Sequence, residues 1–200
     1  MKRILAVLLC LGWIQISAYD PEHLKKLLED KECIGCDLRG ADLRDIDFSG
    51  CDLSKSDFSH ANISRSIFVM ADLNDANLSD VNATESVFWK GTMQRADLSR
   101  IHAKGASFKG THLDGSNLSF ADLRSTKSWK ANFTDAIFMK TDFTDAELGD
   151  AKFIHNDLGS SKFLRTLLWK THFSDVKMTK TQCAHARKEE ALLDSNVTCR

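Results

Sequence analysis

The stretch Cys36–Ile63, CDLRGADLRDIDFSGCDLSKSDFSHANI, decides how this chain is read. Taken in fives centred on Leu38, Leu43, Phe48, Leu53 and Phe58, its frame runs on to Met178 without an insertion or deletion. Of the 29 centre residues, 12 are Leu, 11 Phe, two Met, one Ile and two Ala, and only Ser128 is polar. Two residues before each centre, 26 of the 29 positions hold Ala, Ser, Thr, Cys, Val or Gly; Ile46, Ile101 and Asn156 are the exceptions. A repeat this strict outranks local propensity as evidence.

A period of five is neither the 2.0 of a strand nor the 3.6 of a helix. One large and one small side chain in every five behave as buried, and the other three are mostly polar. A chain that turns a corner every five residues closes a square in four repeats. Residues 20 apart then stack, and residues 10 apart face each other across the square. Coils stacked at strand spacing, about 4.8 Å, pair their backbones up and down the stack, so the repeats predict about seven coils. Asp or Asn just before the centre, as at Asp37, Asp42, Asp47, Asp52, Asp57, Asn62, Asp72 and Asn77, reads as corner chemistry, because these side chains hydrogen-bond nearby backbone. The inward Asn156 needs partners that the sequence does not name.

The A-(D/N)-L-x-x signature within Cys36–Ile63 resembles that of pentapeptide repeat proteins, and the resemblance extends over about three quarters of the chain. It implies an all-β solenoid, a right-handed quadrilateral β-helix, over residues 36–182. Some pentapeptide repeat proteins resemble B-DNA in shape and charge and bind type II topoisomerases. That role asks for a strongly acidic rod in the cytoplasm.

The ends read differently. Residues 1–18 carry Lys2 and Arg3, an apolar run from Ile4 to Ile16, and Ser17-Ala18, which is the plan of a secretory signal peptide. The run is too short for a spanning helix of about 20 residues, so no membrane anchor is expected after cleavage. The protein is expected to be exported, to the periplasm, a thylakoid lumen or the extracellular space. Within residues 19–35, Asp20-Pro21-Glu22 is a helix start, and a helix to about Lys31 would lay Leu24, Leu27 and Leu28 over the first coil. Within residues 183–200, Ala184–Asp194 is a second candidate helix, with Leu192 and Leu193 covering the last coil. An export signal permits disulfides. Cys183 and Cys199 flank the C-terminal element and would clip it down. Cys33-x-x-Cys36 reads as a local disulfide, or as a buried thiol in the case of Cys36, and Cys51 as a substitute for a small inward residue.

Beyond the signal, 25 Lys plus Arg stand against 28 Asp plus Glu. This near-neutral balance gives no case for nucleic acid or for bulk membrane binding. Cys36–His60 is acidic, with six Asp against three basic residues, and Asp150–Gln182 is basic. A filled prism has no cavity, the histidines do not cluster, and no loop longer than a corner interrupts the repeats, so catalysis, metals and cofactors are not expected. One face departs from the polar rule. Trp89, Trp129 and Trp169 are spaced by 40 residues, and each is followed by a lysine, Lys90, Lys130 and Lys170. Ile67, Val69, Met70, Val87 and Leu167 share that face. The frame predicts an exposed strip with a Trp about every 9.6 Å, two coil spacings. Its expected partner is a protein, a glycan or a second copy of the chain. The indoles could instead lie flat and shield the coils.

Overall fold

The computed structural model describes residues 19–200; the proposed signal segment, residues 1–18, lies outside the described residues. From Glu32 to Lys177 the backbone is a ladder of parallel bridges, each joining residues 20 apart, such as Asp37↔Asp57, Asp57↔Asn77 and Asp157↔Lys177. Between bridges the chain turns. The residue three after a centre typically donates to the centre carbonyl, as Ala41 N–H does to Leu38 O at 3.2 Å. The second residue after the centre is, as a rule, left-handed. Gly fills that place at Gly40 and Gly50, but Asp45, Lys55, Arg65 and even Phe120 (φ 62°) also adopt it. Such conformations are uncommon outside glycine, and bulky residues resist them most. They persist because bonds to neighbouring coils hold the corners, as with Phe120 N–H to Met139 O at 2.7 Å.

The interior follows the frame of five. The centres are buried, and the phenylalanines among them stack in columns. Phe48, Phe68, Phe88 and Phe108 lie 5.0, 5.1 and 5.0 Å apart between ring centroids, and Phe133, Phe153 and Phe173 lie 4.8 and 5.3 Å apart. These separations are close to the coil spacing, about 4.8 Å, so the rings act as a ruler along the stack. The small position tolerates Ser and Thr for a defined reason. Their hydroxyls donate to a centre carbonyl, most often in the preceding coil, as from Ser66 to Leu43 O at 2.6 Å, Thr111 to Phe88 O at 2.7 Å and Thr141 to Leu118 O at 2.7 Å. A buried hydroxyl with such a partner costs little.

Asn156 interrupts the ladder once. Its Nδ2 donates to Phe133 O at 3.0 Å and to Ala136 O at 2.8 Å. In every other repeat of this column the carbonyl that Ala136 represents takes a backbone N–H, as Cys36 O takes that of Asp57. The side-chain amide therefore stands in for a ladder bond. Gln182 repeats the device at the end of the stack, with Nε2 donating to Leu158 O and Ser161 O, both at 2.8 Å.

Helix α1, Pro21–Asp30, is capped by Asp20, whose side chain accepts from Glu22 N–H. It joins the first coil through Leu27, which is buried, and through Asp37 N–H donating to His23 Nδ1 at 3.0 Å. Leu24 is half-buried and packs against the core beside Leu27, whereas Leu28 is 38 % exposed. Short regular strands appear only late, as β1 (Lys152–Ile154), β2 (His172–Ser174) and β3 (Lys177–Met178). Helix α2 spans Lys180–Lys188, earlier than the expected Ala184–Asp194. A capping box starts it: Thr179 Oγ1 accepts from Gln182 N–H while the Gln182 side chain accepts from Thr179 N–H. Leu192 and Leu193 are not helical. They form β4, which pairs with β2 at the usual offset of 20 (His172↔Leu192), and Thr198–Cys199 forms β5 on β3 with an offset of 21. The C-terminus thus continues the coil as strands after the helix.

Candidate binding face

The face outside the Phe48–Phe108 column collects five of the 12 large apolar side chains that stand exposed among the described residues: Ile67, Met70, Trp89, Leu167 and Trp169. Val69 and Val87 are half-buried beside them. Turn geometry puts the tryptophans there, because the residue after each centre points away from the core. Trp89 is 41 % exposed and Trp169 is 42 % exposed, each with its neighbouring lysine folded over the ring. Lys90 Nζ lies 4.9 Å from the Trp89 centroid, and Lys170 Nζ lies 4.2 Å from that of Trp169.

Trp129 behaves differently, and this corrects the evenly spaced strip. Its indole lies down over Gly149, so that a Cβ on that glycine would sit 2.3 Å from ring carbon Cζ3. Its Nε1 donates to Glu147 Oε2 at 2.9 Å, and its ring reaches Trp169 at a centroid distance of 6.2 Å with a 52° tilt. The face therefore presents a joined pair, Trp129 and Trp169, and a separate Trp89. Flat shielding of the coils holds for Trp129, which is half-buried, while the other two indoles stand partly exposed beside their lysines.

Charge divides by residue type. Arg65, Arg95, Arg100 and Arg165 each clamp an Asp one coil earlier with two bonds: Asp45, Asp75, Asp80 and Asp145, with N–O distances of 2.6 to 2.8 Å. These guanidinium contacts hold the four carboxyls below the ordinary carboxylate range, and Arg39 brings Asp37 down to about 2. The lysines of the tryptophan face have no such partners. Lys90, Lys109, Lys127, Lys130 and Lys170 are exposed, and among the described residues none forms an ion pair. At its C-terminal end the face runs into a shallow groove lined by Asp150, Lys152, Lys170, His172 and Ala191–Asp194. His172 Nε2 lies 3.1 Å from Asp194 Oδ2 there.

The outward Asp and Asn residues do turn chemistry. Asp47, Asp57 and Asn77, for example, accept from the backbone N–H two residues on, at 2.9, 2.8 and 3.0 Å. Cys183 is joined to Cys199, with Cα atoms 6.1 Å apart, and Cys33 to Cys36, which removes the buried-thiol alternative for Cys36. Cys51 is free, and burial raises its thiol pKa. Sequence reasoning missed a second apolar patch of Phe120, Ile137 and Met139, which stands exposed on a face otherwise made mostly of polar and charged residues, such as Asp97, Ser99, Arg100 and Asn117. Its signal was present, since Phe120 is the one phenylalanine off the centres. Among the described residues no helix is long and apolar enough to cross a membrane.

Comparison with known proteins agrees with the repeat. A model described as "Pentapeptide repeat region" matches residues 41–118, and one described as "Pentapeptide repeats (8 copies)" matches residues 117–153. No curated protein matches the chain. Among solved structures, a trypsin-treated variant of QnrB1, a plasmid-mediated fluoroquinolone resistance protein, is similar at 20 % identity and TM-score 0.52, over 76 % of this chain and 79 % of its own. HetL, involved in heterocyst differentiation regulation in the cyanobacterium Nostoc, has 17 % identity and TM-score 0.34, over 91 % of this chain and 93 % of its own. A thylakoid-lumen protein of Arabidopsis thaliana has 23 % identity and TM-score 0.23, over 79 % and 82 %. With two repeat models covering residues 41–153 without a gap, and with bridges every 20 residues through that span, the chain belongs to the pentapeptide repeat family.

Proposed function

We propose that this protein is an exported, non-catalytic scaffold or binding module that holds a partner on its tryptophan face. In this reading the rod is a right-handed quadrilateral β-helix of about seven coils, covered by α1 at one end and by α2 with β4 and β5 at the other. One observation carries the reading. Five of the 12 exposed large apolar side chains among the described residues share one face with five exposed lysines that form no ion pair, whereas four arginines at the corners are clamped to aspartates. A soluble protein that leaves an apolar strip open usually uses it for contact. The signal-like residues 1–18 and the two cysteine pairs support an exported setting.

A DNA-mimicking role is the weaker reading. It needs a surface of free carboxylates, and here four of the corner aspartates, Asp45, Asp75, Asp80 and Asp145, are neutralised by arginines one coil away. Fractionation with N-terminal sequencing tests export; an uncleaved cytoplasmic form would refute it. Replacing Trp89, Trp129 and Trp169 together by Ser tests the face. The expected result is a folded protein that loses the partners and self-association of the wild type, and full retention of both sinks the proposal.

A further inference from the structure

We infer that the partner held by the tryptophan face is an anionic polysaccharide, a linear chain of sugars bearing carboxylates; this rests on the binding-face reading above. The face and such a ligand share three properties. The first is charge. Lys90, Lys109, Lys127, Lys130 and Lys170 form an exposed cationic row without ion-pair partners among the described residues, and Lys152 extends it into the groove beside Trp169. The acids nearby are few. Glu147 is engaged by the Trp129 indole, Asp194 faces His172, and Asp150 lines the groove.

The second property is the open aromatic ring. A pyranose presents flat C–H faces that pack on an indole while its hydroxyl and carboxylate edges meet neighbouring cations. Trp89 and Trp169 each offer a partly open ring, with an ammonium 4.9 and 4.2 Å from the respective centroid. The third is periodicity. Lys90, Lys130 and Lys170 occupy the same place in coils two apart, so they recur roughly every 9.6 Å along a straight rod. A repeating linear polyanion can match a repeating linear row of cations. A protein partner would instead be seated by side chains entering pockets. Here Trp89 is followed one coil on by Lys109 and Gly110, and Trp129 fills the space over Gly149.

The experiment is affinity electrophoresis of the mature protein in gels containing polygalacturonate, with dextran as the neutral gel and dextran sulfate as the gel for charge alone. The wild type should be retarded by polygalacturonate and not by dextran. Trp89→Ala with Trp169→Ala, and separately Lys109→Gln with Lys130→Gln, should each weaken that retardation roughly tenfold or more in apparent affinity. Both lysines of the second variant stand exposed and outside the ion pairs, so it keeps the test valid if the tryptophan pair fails to fold. Absence of retardation overturns the inference. So does retardation that survives both variants, or that appears only with dextran sulfate. If an acidic peptide or an anionic vesicle binds in a tryptophan-dependent way while polygalacturonate does not, the polysaccharide assignment fails and the binding face stands.

Discussion

The arrangement of Trp129 over Gly149 is open to a sharp test, the substitution Gly149→Ala. Gly149 has an ordinary backbone angle, so alanine brings no strain of its own and would by itself favour folding by about 0.4–1 kcal/mol through the unfolded chain. The structure predicts the opposite sign. The new Cβ would stand 2.3, 2.5 and 2.6 Å from Cζ3, Cε3 and Cη2 of Trp129. Those atoms belong to a rigid ring, so the whole indole must swing away. It then loses the 2.9 Å bond from Nε1 to Glu147 and its packing on Trp169. A hydrogen bond to a charged group contributes about 1.5–3 kcal/mol and an aromatic pair about 0.5–1.5 kcal/mol. Partial exposure of the ring discounts both, and the alanine gain offsets part of the rest. The expected net loss is ~1–2 kcal/mol, or roughly 3–6 °C in Tm for a domain of this size.

Urea unfolding followed by tryptophan fluorescence reads this directly, since the displaced indole also shifts its emission to the red before any unfolding. A double-mutant cycle removes ambiguity. In a Trp129→Ala background the ring is gone, and Gly149→Ala should become neutral or stabilising, giving a coupling of about 1 kcal/mol or more. If Gly149→Ala alone matches or exceeds the wild type in stability with unchanged emission, Trp129 does not lie on Gly149 and the joined pair with Trp169 is wrong.

Three further outcomes are expected. Mass mapping without reduction should recover a Cys183–Cys199 peptide pair from exported protein, and replacing Cys199 by Ser should lower stability by about 3 kcal/mol for a loop of this length; two free thiols would refute the clip. Asn156→Ala should cost about 1–3 kcal/mol in urea unfolding, because Ala136 O loses its donor and Phe133 O keeps only the turn bond from Ala136 N–H; wild-type stability would show that the amide is not a ladder substitute. The arginine-clamped aspartates have folded pKa values below their unfolded ones, so their contribution is complete above the unfolded carboxylate range near 4 and is lost as pH falls through the folded values, about 2 for Asp37. A urea midpoint that stays flat from pH 6 to about 5 and drops below pH 4 fits this, whereas one that rises on acidification contradicts it.

Where the sequence was sufficient, a single period made it so. The frame of five names every buried centre because each repeat meets the same surroundings one coil above and below, and this repetition overrides local propensity. It fails where an interaction depends on one particular neighbour. Trp129 leans because residue 149 has no side chain and residue 147 is a carboxylate, a coincidence 18 to 20 residues away that no local pattern marks. Asn156 reads as a defect because the frame shows which way a side chain points, but not that an amide can replace a backbone donor. At the C-terminus, helix propensity favours Ala184–Asp194, yet the structure ends α2 at Lys188 because Leu192 and Leu193 gain a ladder partner in β2. The start of α2 was legible in Thr179-Lys180-Thr181-Gln182, which has the spacing of a capping box.

The division between arginine and lysine ties the fold to its proposed use. At a corner, a carboxylate and a guanidinium one coil apart form a two-pronged contact, which fixes register between coils better than a point charge does. Such pairs recur on the coils at Arg65, Arg95, Arg100 and Arg165, and they spend their charge inside the protein. A lysine ammonium makes no comparable fork. On the tryptophan face it either rests on an indole, as at Lys90 and Lys170, or stands in solvent, as at Lys109 and Lys130. A net charge near zero therefore conceals two populations: balanced pairs that hold the rod together, and unpaired cations, five of which line the tryptophan face. The near-neutral total that argues against a DNA mimic is compatible with a face that attracts anions, because attraction depends on where unpaired charge lies and not on its sum over the chain.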